Sequence, residues 1–402
     1  MHLPQTKREI NHLALLFTLT YMVSYITRIN YGAVISEMER ETGIARDLLS
    51  LALTGSFVTY GVGQIVSGIL GDRVSPKRLM SYGFVLTVCM NLLIPLCGNP
   101  YLMLGIWCVN GFAQSFMWPP LVRLMTALLS EEDYKRVTVK VSFGSSLGTM
   151  LIYLISPLII SLSGWRAVFI FSALCGAVML FFWHKYSYEI DLQPRTRTPK
   201  AQGGHSGLFS PLMLALMVAI VMQGMLKDGV TTWMPTYISE TYNLSNIIAI
   251  LTGVILPIFS MICFEVSSRL YRKTITNAVL CAGVIFGVGA LAAFGLYGVT
   301  GASAAASVVL SALLTGCMHG VNLMLVCMVP AFFKRQGMVS TASGVINACT
   351  YVGSAASSYG IARLSQEIGW HATVLVWGLI AVVGTAICLL AAKPWQRFTE
   401  KE

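Results

Sequence analysis

Apolar residues dominate this chain in runs of about 20, the length that carries an α-helix across a hydrocarbon core. Twelve such runs can be marked, near residues 12–36, 50–71, 78–97, 101–128, 138–162, 165–184, 209–238, 246–268, 276–297, 302–330, 338–364 and 369–391. Each predicts a membrane-spanning helix. Short polar segments separate them, with one exception, residues 185–208, which are polar, basic and rich in Gly and Pro. That stretch predicts a linker between two sets of six spans: a bundle over 1–184, the linker over 185–208, and a second bundle over 209–402. The first run follows Lys7 and Arg8, is too long for the apolar region of a cleaved signal, and has no small-residue cleavage site after it, so it predicts the first span.

Composition agrees with this pattern. Charged residues make up 11% of the chain and hydrophobic ones 55%, with a mean hydropathy of +0.71, whereas soluble domains carry about 25% charged residues. A net charge of +10 would suggest nucleic acid in a soluble protein; here the basic residues flank apolar spans, and no nucleic-acid partner is expected. With the N-terminus inside, 21 of the 27 Lys and Arg fall at or near the cytoplasmic side, four (Arg40, Arg46, Arg166 and Arg363) at the other, and the remaining two, Arg28 and Lys227, deep within spans. That asymmetry is the positive-inside rule, and an error in the span count would scramble it. Both termini are therefore expected in the cytoplasm. The ten cysteines all fall in predicted spans without a Cys-x-x-Cys, so neither disulfides nor a metal site is expected.

The two residues left within the spans, Arg28 and Lys227, are the leading functional candidates. A cation near the middle of a membrane helix costs at least ~2.5–3.5 kcal/mol on insertion scales, so it ordinarily faces a cavity and has a task there. The two occupy matching places in an apparent duplication. Thirteen residues after Arg28 comes Glu41-Thr42, then Leu53-Thr54-Gly55; thirteen after Lys227 comes Glu240-Thr241, then Leu251-Thr252-Gly253. Repeated halves with a site at their midplane are a common architecture of secondary transporters.

Polar stripes single out certain spans. The first presents Tyr21, Tyr25 and Arg28 on one helical face. The second has Tyr60, Gln64 and Ser67; the fourth Asn110, Gln114 and Trp118; the fifth Ser142, Ser145, Thr149 and Tyr153. In the second half the stripes are Gln223, Lys227 and Thr231; His319 and Asn322; and Ser340, Ser343, Asn347, Tyr351 and Ser354. Ser and Thr in such helices mostly bond their own backbone. Weight therefore falls on Arg28, Lys227, Tyr21, Tyr25, His319, Gln64, Trp118, Asn347 and Tyr351 as substrate-binding residues. Trp118 beside Pro119-Pro120 could also mark a helix break. An acid next to Lys227, Asp228, is expected to point about 100° away from it around the helix.

Between the second and third spans the chain reads Gly68-Ile-Leu-Gly-Asp72-Arg73-Val-Ser75-Pro-Lys77-Arg78. This resembles the G-x-x-x-D-R-x-[GS]-x-[KR] loop of the major facilitator superfamily, and Ser267-Ser268-Arg269 is a degraded echo after the eighth span. Gly68, Asp72, Arg73, Lys77 and Arg269 are the conformational residues this implies. Tyr21-x3-Tyr25-x2-Arg28-x-Asn30, Asn110-Gly111, Trp118-Pro119-Pro120 with Arg123, Lys227-x5-Trp233-x-Pro235-Thr236-Tyr237 and His319-Gly320 resemble the organophosphate:phosphate antiporters, the family of the glycerol-3-phosphate and hexose-phosphate transporters. The resemblance covers nearly the whole chain. It implies an all-α major facilitator fold of twelve transmembrane helices in two pseudo-symmetric bundles. It also implies that Arg28 and Lys227 hold a phosphoryl group from opposite halves, with Tyr21, Tyr25 and His319 completing the site.

There are departures. The glycerol-3-phosphate members carry Lys where this chain has Ile29 and Gln64, Arg where it has Lys227, and His where it has Ser145. Lys is a point charge where Arg is a bidentate fork, so the field at the site is less positive here. The function expected is exchange of a small phosphorylated organic anion for inorganic phosphate, by rocker-switch alternating access, in a monomeric multi-pass protein of the bacterial inner membrane. No cofactor is expected, and no enzymatic activity, since no nucleophile–base pair, metal cluster or phosphate-binding glycine loop is evident. A proton-coupled carboxylate symporter and a transporter-like sensor of sugar phosphate are the alternatives. The identity of the organic moiety is left open.

Overall fold

A computed structural model describes residues 6–187, 208–244 and 255–401. The linker expected over 185–208 lies almost wholly outside the described residues, as does the repeat element Leu251-Thr252-Gly253. The described residues are helical: α1 (Lys7–Thr42), α2 (Arg46–Arg73), α3 (Pro76–Leu93), α4 (Pro100–Gln114), α5 (Trp118–Leu128), α6 (Glu131–Ser163), α7 (Trp165–Tyr186), α8 (Pro211–Tyr242), α9 (Ile255–Lys273), α10 (Ala278–Val299), α11 (Ala304–Asn322) and α12 (Val339–Lys401). Helix occupies each of the twelve apolar runs. Among the described residues, nine helical stretches are long and apolar enough to cross a membrane. The runs outside those nine have local reasons. The fourth is interrupted between Gln114 and Trp118, ahead of Pro119-Pro120. The eighth is described only from Ile255. The eleventh is rich in Ser, Thr, Asn and Gly. Large apolar side chains such as Leu154, Leu162, Leu291 and Leu390 are more than half exposed, as lipid-facing positions should be.

The helix ends follow from local chemistry. Thr6 and Glu9 form a reciprocal capping box at the start of α1, and Gly43 closes that helix with φ 69°. Asn99, Ser130, Asn277 and Ser303 accept backbone N–H bonds at the starts of α4, α6, α10 and α11.

Contacts divide the chain into two compact units. One comprises Met1–Thr198 with Gln336–Ala348, and the other Pro199–Arg335 with Cys349–Glu402. The beginning of α12 thus belongs to the first unit. In that unit α1 packs on α6 and α7, and α2 on α4. Its core is built on Tyr31, Trp107, Trp165 and Phe169, all buried, with ring centroids 5.1 Å apart for Tyr31–Trp107 and 5.7 Å for Trp107–Phe169. In the second unit α11 packs on α8, α9 and α10. Tyr237 lies against Trp370 at 5.5 Å, with its hydroxyl 2.9 Å from Thr300 Oγ1 and 3.1 Å from Ser307 Oγ.

The duplication is visible inside each unit. In the first, an added Cβ on Gly148 of α6 would come within 2.4 Å of Met22 O. In the second, one on Gly353 of α12 would come within 2.0 Å of Val221 O. Met22 stands six residues before Arg28, and Val221 six before Lys227. Gly164 (φ 78°, ψ 173°) precedes Trp165 at the start of α7, and Gly369 (φ 77°, ψ 170°) precedes Trp370 where α12 breaks. The same number of residues separates Gly148 from Gly164 and Gly353 from Gly369. The repeated acids tie the last helix of each half to its first: Glu41 pairs with Arg166, and Glu240 accepts from Trp370 Nε1 at 2.6 Å. Glu41 and Glu240 are therefore structural.

The Gly353 crossing permits a direct test. A Val side chain would collide with a backbone oxygen that cannot swing aside, so Gly353→Val is expected to cost about 3 kcal/mol or more. The purified protein should show a lowered thermal midpoint and an aggregated fraction on size exclusion; an unchanged midpoint would mean that the helices separate freely there.

Candidate functional site

The first unit gathers most of its sequence-predicted residues into one cluster. Tyr21, Tyr25 and Arg28 share a face of α1, because i, i+4 and i+7 lie on one side of a helix. The guanidinium carbon of Arg28 lies 4.2 Å from the ring centroid of Tyr25 and 4.7 Å from that of Tyr60 on α2. Two aromatic faces thus hold a cation within cation–π range. Tyr21 packs edge-on against Tyr25 at 5.2 Å and against Trp118 at 5.0 Å. Trp118 is 3% exposed, and its Nε1–H is buried with no hydrogen-bond partner among the described residues. Gln64, wholly buried one turn after Tyr60, accepts at Oε1 from Asn347 Nδ2 at 3.0 Å, while its own Nε2 has no partner among the described residues. Two buried donors without acceptors are costly in isolation and suit an anionic ligand.

A buried amide network fixes the helix that carries Arg28. Asn91 Nδ2 donates to Thr27 O at 3.1 Å, Asn110 Nδ2 to the same oxygen at 3.3 Å, and Gln114 Nε2 to Thr27 Oγ1 at 2.8 Å. Asn30 Nδ2 donates to Asn91 Oδ1 at 2.7 Å. All five residues are at least 98% buried. Asn110 and Gln114, read from sequence as cavity stripes, instead anchor α1 next to Arg28.

The motif read from sequence as a loop begins inside α2: its Gly68–Asp72 end is helical and packs on the first residues of α12. Asp72 accepts from the backbone N–H of Ser340 at 3.0 Å and of Thr341 at 2.7 Å, a carboxylate at a helix N-terminus. An added Cβ on Gly68 would lie 2.7 Å from Ser340 O, so only glycine allows that approach. Arg123 donates to Gly71 O and, at 3.1 Å, to Val74 O, bracing the C-terminal end of α2. Arg73 is exposed at the end of α2. Lys77 contributes its carbonyl, which accepts from Trp183 Nε1 at 3.3 Å. Arg269 pairs along its own helix with Glu265 at 2.6 Å.

The second unit holds Lys227, His319 and Tyr351. The expectation for Asp228 is corrected: Lys227 Nζ lies 3.4 Å from Asp228 Oδ1. Adjacent Cβ atoms do diverge on a helix, but the four-carbon lysine stem swings its ammonium back across that angle. Ser354 Oγ of α12 donates to the other oxygen, Asp228 Oδ2. His319 Nδ1 sits 2.9 Å from Thr315 O and 3.1 Å from Ser260 Oγ, and the Ser260 hydroxyl donates to Leu256 O. Nδ1 therefore carries the proton in the neutral ring. Phe264 packs edge-to-face on the imidazole at 5.6 Å. Tyr351, half-buried, stands three residues before Ser354.

Residues 17–358 match the model of the Major Facilitator Superfamily. The chain belongs to that superfamily. It is similar to a probable hexose phosphate transport protein of Chlamydia muridarum, at 22% identity over 90% of this chain and 87% of the relative. It is also similar to the membrane sensor protein UhpC of Salmonella typhimurium, at 24% identity over 93% and 88%. Among solved structures it is similar to the proton:xylose symporter XylE bound to 6-bromo-6-deoxy-D-glucose, with a TM-score of 0.76, 13% identity, and coverage of 97% and 96%. The protein is thus a multi-pass inner-membrane transporter of major facilitator fold and not an enzyme.

Sequence reading missed several partners. Tyr60 was visible as a stripe residue, but nothing in the spacing tied it to Arg28. Asn91 stood outside the stripes altogether, because a lone amide in an apolar helix has no pattern around it. Ser260 and Thr315 meet His319 only through packing.

Proposed function

We propose that this protein carries a small phosphorylated organic anion across the membrane in exchange for inorganic phosphate. The observation that carries this reading is Arg28 stacked between Tyr25 and Tyr60, in the same unit as the unpartnered donors of Trp118 and Gln64. A fixed guanidinium in the same unit as the buried N–H donors of Trp118 and Gln64 suits phosphoryl oxygens, which accept bidentate and charge-assisted bonds. The Chlamydia relative is a probable hexose phosphate transport protein, which supports a sugar phosphate as the cargo. In this reading twelve spans form two six-helix bundles, residues 1–184 and 209–402, with both termini cytoplasmic. Arg28 from one and Lys227 from the other bind the same phosphoryl group, with Tyr21, Tyr25, His319, Asn347 and Tyr351 around it. Gly68, Asp72, Arg73, Lys77 and Arg269 govern the conformational change.

Reconstituted vesicles test it. Uptake of labelled phosphate is expected to require phosphate or an organic phosphate trapped inside, and to persist when an uncoupler collapses the proton gradient. Concentrative uptake into empty vesicles driven by an imposed pH gradient would establish proton symport instead. The relative UhpC is a membrane sensor protein, which gives a second reading. Specific binding of a hexose phosphate without any exchange would favour that one.

A further inference from the structure

We propose that Asp228 is a specificity-determining residue, whose carboxylate receives an ammonium group on the substrate, so that this transporter favours phosphate esters that also carry a positively charged amine. The proposal rests on the reading above that Lys227 binds the phosphoryl group.

Lys227 and Asp228 form an ion pair inside a span. Oδ1 of the acid is 3.4 Å from Lys227 Nζ, and Oδ2 accepts from Ser354 Oγ. Ser354 Oγ also lies 3.0 Å from Thr350 O, so its one hydroxyl proton is shared between that carbonyl and the Asp228 carboxylate. Oδ1 thus faces the Lys227 ammonium and Oδ2 the Ser354 hydroxyl. Exposure is uneven: the Lys227 side chain is 16% exposed and that of Asp228 is 37%. The acid is the more accessible member of the pair.

A carboxylate in a membrane helix is costly and ordinarily functional. For a plain dianionic ester this one is counterproductive, because it cancels the charge of the lysine meant to bind it. An ester bearing an ammonium group reverses that balance. Its phosphoryl group takes Lys227, and its ammonium takes the Asp228 oxygen the lysine leaves. One ion pair becomes two, and neither charge is left buried alone. Had Asp228 only damped Lys227, every phosphate ester would feel it equally. Acting as an ammonium receptor, it must separate esters that differ in nothing else.

Ethanolamine phosphate and 2-hydroxyethyl phosphate are such a pair, an ammonium against a hydroxyl on the same two-carbon frame. In phosphate-loaded vesicles, ethanolamine phosphate is expected to inhibit labelled phosphate uptake on the order of tenfold more strongly than its hydroxyl analogue, the range of one close charge pair. In Asp228→Asn the ratio should fall to about one, and in Ser354→Ala it should fall part of the way. The ratio within one variant does not depend on how much protein inserts. If Asp228→Asn yields no measurable uptake, the wild-type and Ser354→Ala ratios decide alone. Equal potency of the two esters on the wild type, or a wild-type ratio retained in the variants, would overturn the proposal while leaving phosphate exchange intact. Absence of phosphate exchange in the wild type, with neither ester bound, would overturn the transport reading along with it.

Discussion

Arg28→Ala is expected to reduce organic phosphate and phosphate uptake to the background of empty vesicles while the protein still inserts. The guanidinium supplies charge and paired donors, and an alanine there supplies neither. Losing charge-assisted bonds to a bound phosphoryl group costs roughly 2–5 kcal/mol or more, several hundredfold in affinity. Stability should change far less. The contacts to Tyr25 and Tyr60 at 4.2 and 4.7 Å contribute about 0.5–2 kcal/mol each, and relief from burying a charge in an apolar span offsets them by ~2.5–3.5 kcal/mol. Arg28→Lys should fall between, since it keeps the charge and loses the planar fork. Uptake measured against the amount of purified, monodisperse protein checks this. Wild-type uptake in Arg28→Ala would remove Arg28 from the site.

Lys227→Ala is expected to abolish exchange, and Lys227→Arg to preserve part of it. The alanine variant loses a phosphoryl ligand and also leaves the Asp228 carboxylate with Ser354 as its remaining donor among the described residues. A buried charge deprived of its partner typically costs 3–5 kcal/mol; the 37% exposure of Asp228 reduces that here. Lys227→Ala combined with Asp228→Asn should therefore recover thermal stability without recovering transport. An arginine restores the charge on a longer, planar group, which can still meet both phosphate and Asp228. Phosphate uptake at wild-type rate in Lys227→Ala would leave no role for this cation, whereas stability unchanged by the single variant would show that the pair contributes nothing to folding.

The architecture was legible because membrane insertion acts on composition. A span must be apolar over about 20 residues wherever its neighbours lie, so the helices appear in sequence as runs, and nine of the described helical stretches are long and apolar enough to cross a membrane. The duplication could be read for a similar reason. Arg28 with Glu41 and Lys227 with Glu240 keep their spacing because each pair lies along one continuous helix. The face shared by Tyr21, Tyr25 and Arg28 is a property of the 3.6-residue turn, and Trp118-Pro119-Pro120 breaks its span through proline's missing N–H.

What local pattern could not supply was every relationship made across helices. Spacing along α1 put Arg28 on a face, but only packing brought Tyr60 of α2 over its guanidinium. Asn110 and Gln114 looked like cavity residues until their amides proved to be spent on Thr27. Asp72 belonged to a loop motif in the sequence; the fold made it the cap of α12. The Lys227–Asp228 pair went unread for a different reason. Helical geometry predicts where Cβ atoms point, whereas a long side chain chooses its rotamer from its surroundings. Ser354, more than a hundred residues away, decides where the Asp228 carboxylate is held. Periodicity along one helix is set by the backbone, but partners between helices are set by the tertiary packing that brings distant side chains within bonding distance.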